Sequence, residues 1–252
     1  MGDGGADRWS AVTVGWAEQW GSFTAPVWDP LLAAAGVGPG TRVLDVGCGT
    51  GELLARLGRA GAIAVGVDPA PDMVAHARAH HSGAIAREGD AEHLPFDDGR
   101  FDVVLAVNAL QLADDVRSAL TEAARVLVPG GRVGLAGWAE GARNDLDVVE
   151  RAVAAAFEEE MPPDGPLRTA GGLEAALVDA GLEVLAAGVV EAPWTADDDE
   201  RLVRGVLLGE DPATLAELTP VVVGAAAPFR APGGGYRLVN ALRYAVGRTR
   251  AD

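Results

Sequence analysis

A short apolar run, Val43-Leu44-Asp45-Val46, passes directly into three glycines at alternate positions, Gly47, Gly49 and Gly51. A buried strand that ends this way, with a helix expected over 52–60, leaves few folds open. Glycines at a strand end let the backbone approach a ligand closely. The helix behind them turns its first N–H groups toward electron-rich atoms. Cys48 sits inside this loop.

The same alternation continues along the chain. Strands are expected at 42–46, 62–67, 84–87, 101–107 and 132–138. Helices are expected between them at 52–60, 71–81 and 114–127, the last stopped by Pro129-Gly130-Gly131. Strands alternating with helices of this length predict a parallel α/β sheet with helices on both faces. Farther on, helices are expected at 145–160, 173–180, 196–209 and 212–218, and strands at 182–190 and 236–246. Segment 219–230 carries only a weak pattern. Ahead of the first strand, 1–8 read as disordered and 9–35 as helical, with Pro26 and Pro30 breaking the pattern. Trp9, Trp16 and Trp20, spaced by seven and then four, share one helical face. They either cover the edge of the core or form a lid.

Four acidic or amide positions fall where such a sheet binds ligands. Asp45 precedes Gly47 by two residues, where a carboxylate suits a cationic ligand and opposes a pyrophosphate. Glu52 stands where a dinucleotide fingerprint has its third glycine. Asp68, with Pro69 beside it, ends the second strand, 21 residues after Gly47. A carboxylate there can accept from both ribose hydroxyls, which fits a nicotinamide dinucleotide equally well. Asp90 and Ala91, in Gly89-Asp90-Ala91-Glu92-His93-Leu94-Pro95-Phe96, follow the third strand, where the carboxylate can accept from an adenine amino group. Asn108 lies just past the fourth strand, at the ligand-binding edge. Gln111, three residues on, points to the same end.

Composition removes several classes. All 20 basic residues are Arg, so neither a Schiff-base lysine nor a P-loop lysine is present. The formal net charge of −17 repels phosphate backbones and anionic lipids, so no nucleic-acid or membrane partner is expected. Cys48 is the single cysteine and fits a reducing, cytoplasmic setting. The first residues lack the order of a signal peptide, and no apolar run reaches the roughly 18–20 residues of a membrane span. No Cys/His cluster has metal spacing, so catalysis without a metal is expected. His93, His76, His80 and His81 read as solvated, and Asp197 to Glu200 as a charge cluster at a helix start.

The runs 43–53, Gly66-Val67-Asp68, 89–96, Phe101-Asp102-Val103-Val104 and Arg125-Val126-Leu127-Val128-Pro129-Gly130-Gly131 occur in one order. Together they resemble class I S-adenosylmethionine-dependent methyltransferases, in the type 11 branch that includes ubiquinone and menaquinone biosynthesis. The resemblance covers about residues 38–138. It implies a Rossmann-like, seven-stranded, mostly parallel sheet whose last strand runs antiparallel, plus helical cap elements. Within a single domain, 1–37 would be a helical lid, 38–138 the cofactor-binding core, and 139–252 a half with cap insertions and the last two strands. By motif position, Gly47 and Gly49 would line the methionine part of S-adenosylmethionine and Asp45 would sit near its ammonium. Asp68 would hold the ribose, Met73 would pack on the adenine, Asp90 and Ala91 would hold the adenine edge, and Asn108 would lie near the methionine backbone. Cys48 and Pro69 join the same set.

A small-molecule acceptor is implied, and Arg-only usage hints at a high-GC genome and a secondary metabolite. Trp16, Trp20, Gln111 and Trp138 are the candidates to touch it. No catalytic base is visible, and the oligomeric state, monomer or homodimer, is open. A non-methylating protein on the same fold, cyclase-like or regulatory, and an oxidoreductase remain the competing readings.

Overall fold

The computed structural model of the chain describes residues 3–81 and 83–250. Seven strands among them form one sheet: β1 (Arg42–Val46), β2 (Ile63–Asp68), β3 (Ala86–Glu88), β4 (Phe101–Val107), β5 (Leu127–Trp138), β6 (Glu183–Ala196) and β7 (Tyr236–Arg248). Their spatial order is β3-β2-β1-β4-β5-β7-β6. The first five strands pair in parallel. β7 inserts antiparallel between β5 and β6. This is the mostly parallel, seven-stranded, Rossmann-like α/β sheet that the motifs imply.

The helices are α1 (Asp3–Ala11), α2 (Thr13–Gln19), α3 (Ala25–Ala35), α4 (Glu52–Arg59), α5 (Pro71–His80), α6 (Val116–Arg125), α7 (Asp145–Ala156), α8 (Gly172–Asp179), α9 (Asp199–Val206) and α10 (Pro212–Ala225). The two-residue period of the strands splits the core into two layers. Val43, Val103 and Leu105 pack with α3, α4 and α5 on one face. Leu44, Val104 and Ala106 pack with α6 and α8 on the other. β1 and β4 are buried on both faces, which is why their sequences read as unbroken apolar runs.

Several boundaries differ from the sequence reading, each for a physical reason. A helix already begins at Asp3, within the segment read as disordered. Pro26 opens α3 rather than ending a helix, since a proline in the first turn gives up an N–H that has no partner there. Pro30 lies inside the same helix, whose Val27 and Leu31 are fully buried. β5 begins at Leu127 and runs through Pro129-Gly130-Gly131, with an irregular register against β4. α10 continues to Ala225 past Pro220, anchored by buried Leu218 and Val222. The Asp197 to Glu200 run does start a helix: Asp198 caps α9, its side chain accepting from the Arg201 N–H at 2.8 Å.

Of the segment expected to be a lid, α3 packs against β5, β6 and β7. α1 and α2 stand over the carboxyl ends of the strands, where Trp28 of α3 also reaches a cavity beside Asp45. α2 rests on the chain after α9: a Cβ at Gly15 would fall 2.7 Å from Leu208. Among the described residues, no helix is long and apolar enough to cross a membrane.

Candidate active site

The loop after β1 is fixed by the strand beside it. The N–H groups of Gly47 and Cys48 both donate to the Val67 carbonyl, at 2.8 and 3.0 Å. Gly47 has φ +71, and a Cβ there would collide with that of Ala109. Any other residue would therefore be strained twice, by conformation and by contact. Asp68 ties the loop to the turn after β2: one carboxylate oxygen accepts from the Gly49 N–H and the other from the Ala70 N–H, both at 2.9 Å. Each oxygen keeps a further lone pair for a ligand.

Asp45 is 2% exposed at the end of β1, and its Oδ2 has no hydrogen-bond partner. Burial, then the charges of Asp68 and Glu52, push its carboxyl up to about 8. The same burial, with the charges of Asp45 and Asp68, raises the Cys48 thiol well above its ordinary value, so it is no nucleophile at neutral pH. Asp68 and Glu52 give the glycine loop negative surroundings, and the protonated Asp45 carboxyl between them can ionise once a cation faces it. A pyrophosphate would be repelled there, which weighs against the dinucleotide reading, whereas an ammonium would supply the charge that Asp45 lacks.

Three cavities meet at this edge of the sheet. The first is lined by Gly47, Gly49, Asp68, Pro69, Met73, Asp90, Ala91 and Asn108 among others, and its walls are mainly apolar. Eight of the ten residues expected to hold a cofactor thus surround one cleft. Asp45 and Cys48, the other two, line a small second cavity that shares Gly47 and Gly49 with the first and also holds Thr50, Glu52 and Trp16. The third, of about 480 Å³, carries Trp16, Trp20, Gln111 and Trp138, the four residues expected to face an acceptor. It touches the first at Trp9, Asn108 and Leu112.

Asn108 therefore sits at the junction. It is one of two non-glycine residues with positive φ among the described residues, at +54, a conformation that Asn tolerates better than most. The Gln111 side-chain amide donates to its Oδ1 at 2.9 Å and to its carbonyl at 3.0 Å. Gln111 thus orients Asn108 as well as facing the third cavity.

Trp20 is the back wall rather than a movable part. It is 7% exposed, stacks on Trp194 at 4.7 Å between ring centroids, and donates its indole N–H to the Gly205 carbonyl. Trp16 is half-buried, and its indole nitrogen would lie 3.9 Å from a Cβ at Gly49. Trp9, one of the three rings read as core edge or lid, lies on the wall of the cofactor cleft, whereas sequence reasoning missed Arg8, Asp147, Glu150 and Arg168 in the third cavity. The one local signal was the i,i+3 spacing of Asp147 and Glu150 on α7. Among the described residues, no group of three or more His, Cys, Asp or Glu side chains is arranged to hold a metal ion.

Residues 44–135 match the methyltransferase-domain family. Over 114 residues the chain is 45% identical to an uncharacterized methyltransferase of Mycobacterium tuberculosis, covering 45% of each protein. The chain spans about half the length of the curated relatives it matches. The YcgJ protein of Bacillus subtilis superposes with a TM-score of 0.59 at 20% identity, over 88% of this chain and 97% of that one. The [4+2]-cyclase SpnF superposes with a TM-score of 0.58 at 20% identity, over 89% of this chain and 80% of its own. The fold is that of the class I S-adenosylmethionine-dependent methyltransferases.

Proposed function

We propose that the protein transfers a methyl group from S-adenosylmethionine to a small-molecule acceptor. One observation carries this reading: the buried Asp45 carboxyl at the glycine loop, its Oδ2 unpartnered, beside a cleft lined by Asp68, Met73, Asp90 and Ala91, with a separate chamber meeting that cleft at Asn108. When bound, the cofactor supplies a sulfonium methyl already activated for displacement.

The protein's part is to place and dry the reactants. Asp45 offers its charge to the ammonium, and the Gly47 and Gly49 backbones admit the methionine chain. Asp68 accepts from the ribose hydroxyls with its free lone pairs. Met73, Asp90 and Ala91 hold the adenine, and Cys48 and Pro69 complete the walls. Trp16 and Trp9 exclude water where cleft and chamber join. Placement of this kind contributes roughly 7–11 kcal/mol. The charge of −17 favours a small acceptor over a nucleic acid. Calorimetric titration with S-adenosylmethionine tests the cofactor, with micromolar binding expected and no binding overturning the reading. The [4+2]-cyclase on the same fold keeps a non-methylating reading in view. Formation of S-adenosylhomocysteine during turnover separates the two.

A further inference from the structure

The acceptor chamber has a charge pattern that the cofactor reading leaves unused. Its walls carry four indoles. Trp9 and Trp16 stand at 88° with centroids 5.1 Å apart, and Trp138 is tilted 67° against Trp20 at 6.3 Å. Trp16 and Trp20 are stacked at 26° with centroids 6.4 Å apart, and Trp9 and Trp138 turn across this pair, so the rings present adjoining walls. Four charged groups line the same space: Arg8, Asp147, Glu150 and Arg168.

Two of these four are already neutralised. Asp147 pairs with Arg168 at 2.9 Å and with Arg151 at 3.2 Å. Arg168 also pairs with Asp164 at 3.2 Å and donates to the Ala139 carbonyl at 3.1 Å. Arg8 is exposed at the rim, on α1. That leaves Glu150, half-buried on α7, with no hydrogen bond or ion pair to a described residue. Burial, then the neighbouring Asp147 charge, raises its carboxyl above the ordinary value, against the pull of Arg168 and Arg151. Glu150 is therefore the inner charged group of this wall that Arg168 and Arg151 reach only at a distance, without a hydrogen bond, and it shares the wall with the π-faces.

We propose that the methyl acceptor is an organic amine carrying an apolar body, its ammonium held by Glu150 among the indoles of Trp9, Trp16 and Trp138. Indole faces attract cations, and a carboxylate removed from water gains most from a positive partner. An ammonium must also lose a proton before its nitrogen can act as a nucleophile. Glu150, a carboxylate on the same wall, is the group placed to accept it. The body of the acceptor has room to extend. A mostly apolar cavity of about 660 Å³ adjoins the chamber at Gln111, Trp138 and Arg168.

This inference rests on the assignment of the chamber to the acceptor, so the cofactor is measured separately. The test is tryptophan fluorescence titration, with and without S-adenosylhomocysteine, using phenethylammonium, 3-phenylpropanol and 3-phenylpropionate as probes. The cation is expected to bind at least about tenfold more tightly than either of the others. Glu150→Gln is expected to abolish that preference while leaving S-adenosylhomocysteine affinity unchanged and without lowering the thermal midpoint. Glu150→Asp should restore part of it. Equal binding of the three probes, tightest binding of the carboxylate through Arg8, or an undiminished preference in Glu150→Gln each overturns the proposal. Failure of S-adenosylhomocysteine to bind overturns the cofactor assignment instead, and the amine titration without it still decides the chamber.

Discussion

Asp45 weakens the ligand-free fold wherever nothing positive faces it. Its carboxyl is raised from 3.8 to about 8 in the folded chain. Between those values the folded chain keeps a proton that the unfolded chain has released. Stability therefore falls as pH climbs through that window, and the loss is complete above the folded value. Asp45→Asn should stabilise the ligand-free protein, with the gain growing by on the order of 3 kcal/mol from pH 5 to pH 8. Urea denaturation at the two pH values measures this, and a gain independent of pH would refute the perturbed carboxyl. The same variant should bind S-adenosylmethionine at least about tenfold more weakly, since an ammonium loses its charged partner. Asp68→Ala should lower that affinity at least about tenfold as well. It also frees the Gly49 and Ala70 N–H groups, so a stability loss of about 1–3 kcal/mol should accompany it. Calorimetry showing unchanged affinity in a folded Asp68→Ala would remove the residue from the site.

α2 combines two kinds of residue within one turn. Trp20, just past its end, is rooted in the core against Trp194, whereas Trp16 faces the chamber. Trp20→Ala should cost about 3–5 kcal/mol of stability. Trp16→Ala should cost much less and act on ligand binding instead, a contrast that thermal melts and titrations read directly. Hydrogen exchange separates the same roles by element. α1 and α2 should slow when S-adenosylhomocysteine binds, while β1 and β4 stay protected throughout. If α1 and α2 exchange as slowly as β4 without ligand, they are fixed structure and not a cover. The sequence showed β1 and β4 to the residue because both faces of each are buried, and it showed the glycine loop because its constraint is local. It misled at Pro26, which opens α3, and at Pro30, where the buried Val27 and Leu31 rather than propensity decide the helix. It was silent on Glu150 and Arg168, and on their meeting with Trp9, which depends on where α1, α7 and the turn before α8 dock. Trp9 lies more than a hundred positions from the other two, a separation that leaves no local pattern to read.

At the scale of the molecule, the charge of −17 opposes compaction. Raising ionic strength from about 0.01 M to about 0.1 M shortens the screening length from about 30 Å to about 10 Å. The thermal midpoint should rise by a few degrees over that range, and a fall would show that the ion pairs outweigh the net repulsion. Turnover is expected to survive chelator treatment, since Asp45, Asp68 and Asp90 are assigned to the cofactor; loss of activity restored by Mg²⁺ would overturn that. The insertion of β7 between β5 and β6 has a consequence during synthesis. β6, fourteen residues long, pairs with β7 alone among the described strands, and β7 begins forty positions after β6 ends. At about 5–20 residues per second, the nascent chain carries an open β6 and a bare β5 edge for seconds. Leu185 and Val189 of β6 remain exposed even in the finished fold. Release of the chain from the ribosome before Tyr236 would leave both edges permanently unpaired, a template for aggregation. Translation therefore places its whole sheet at the mercy of the last strand to emerge.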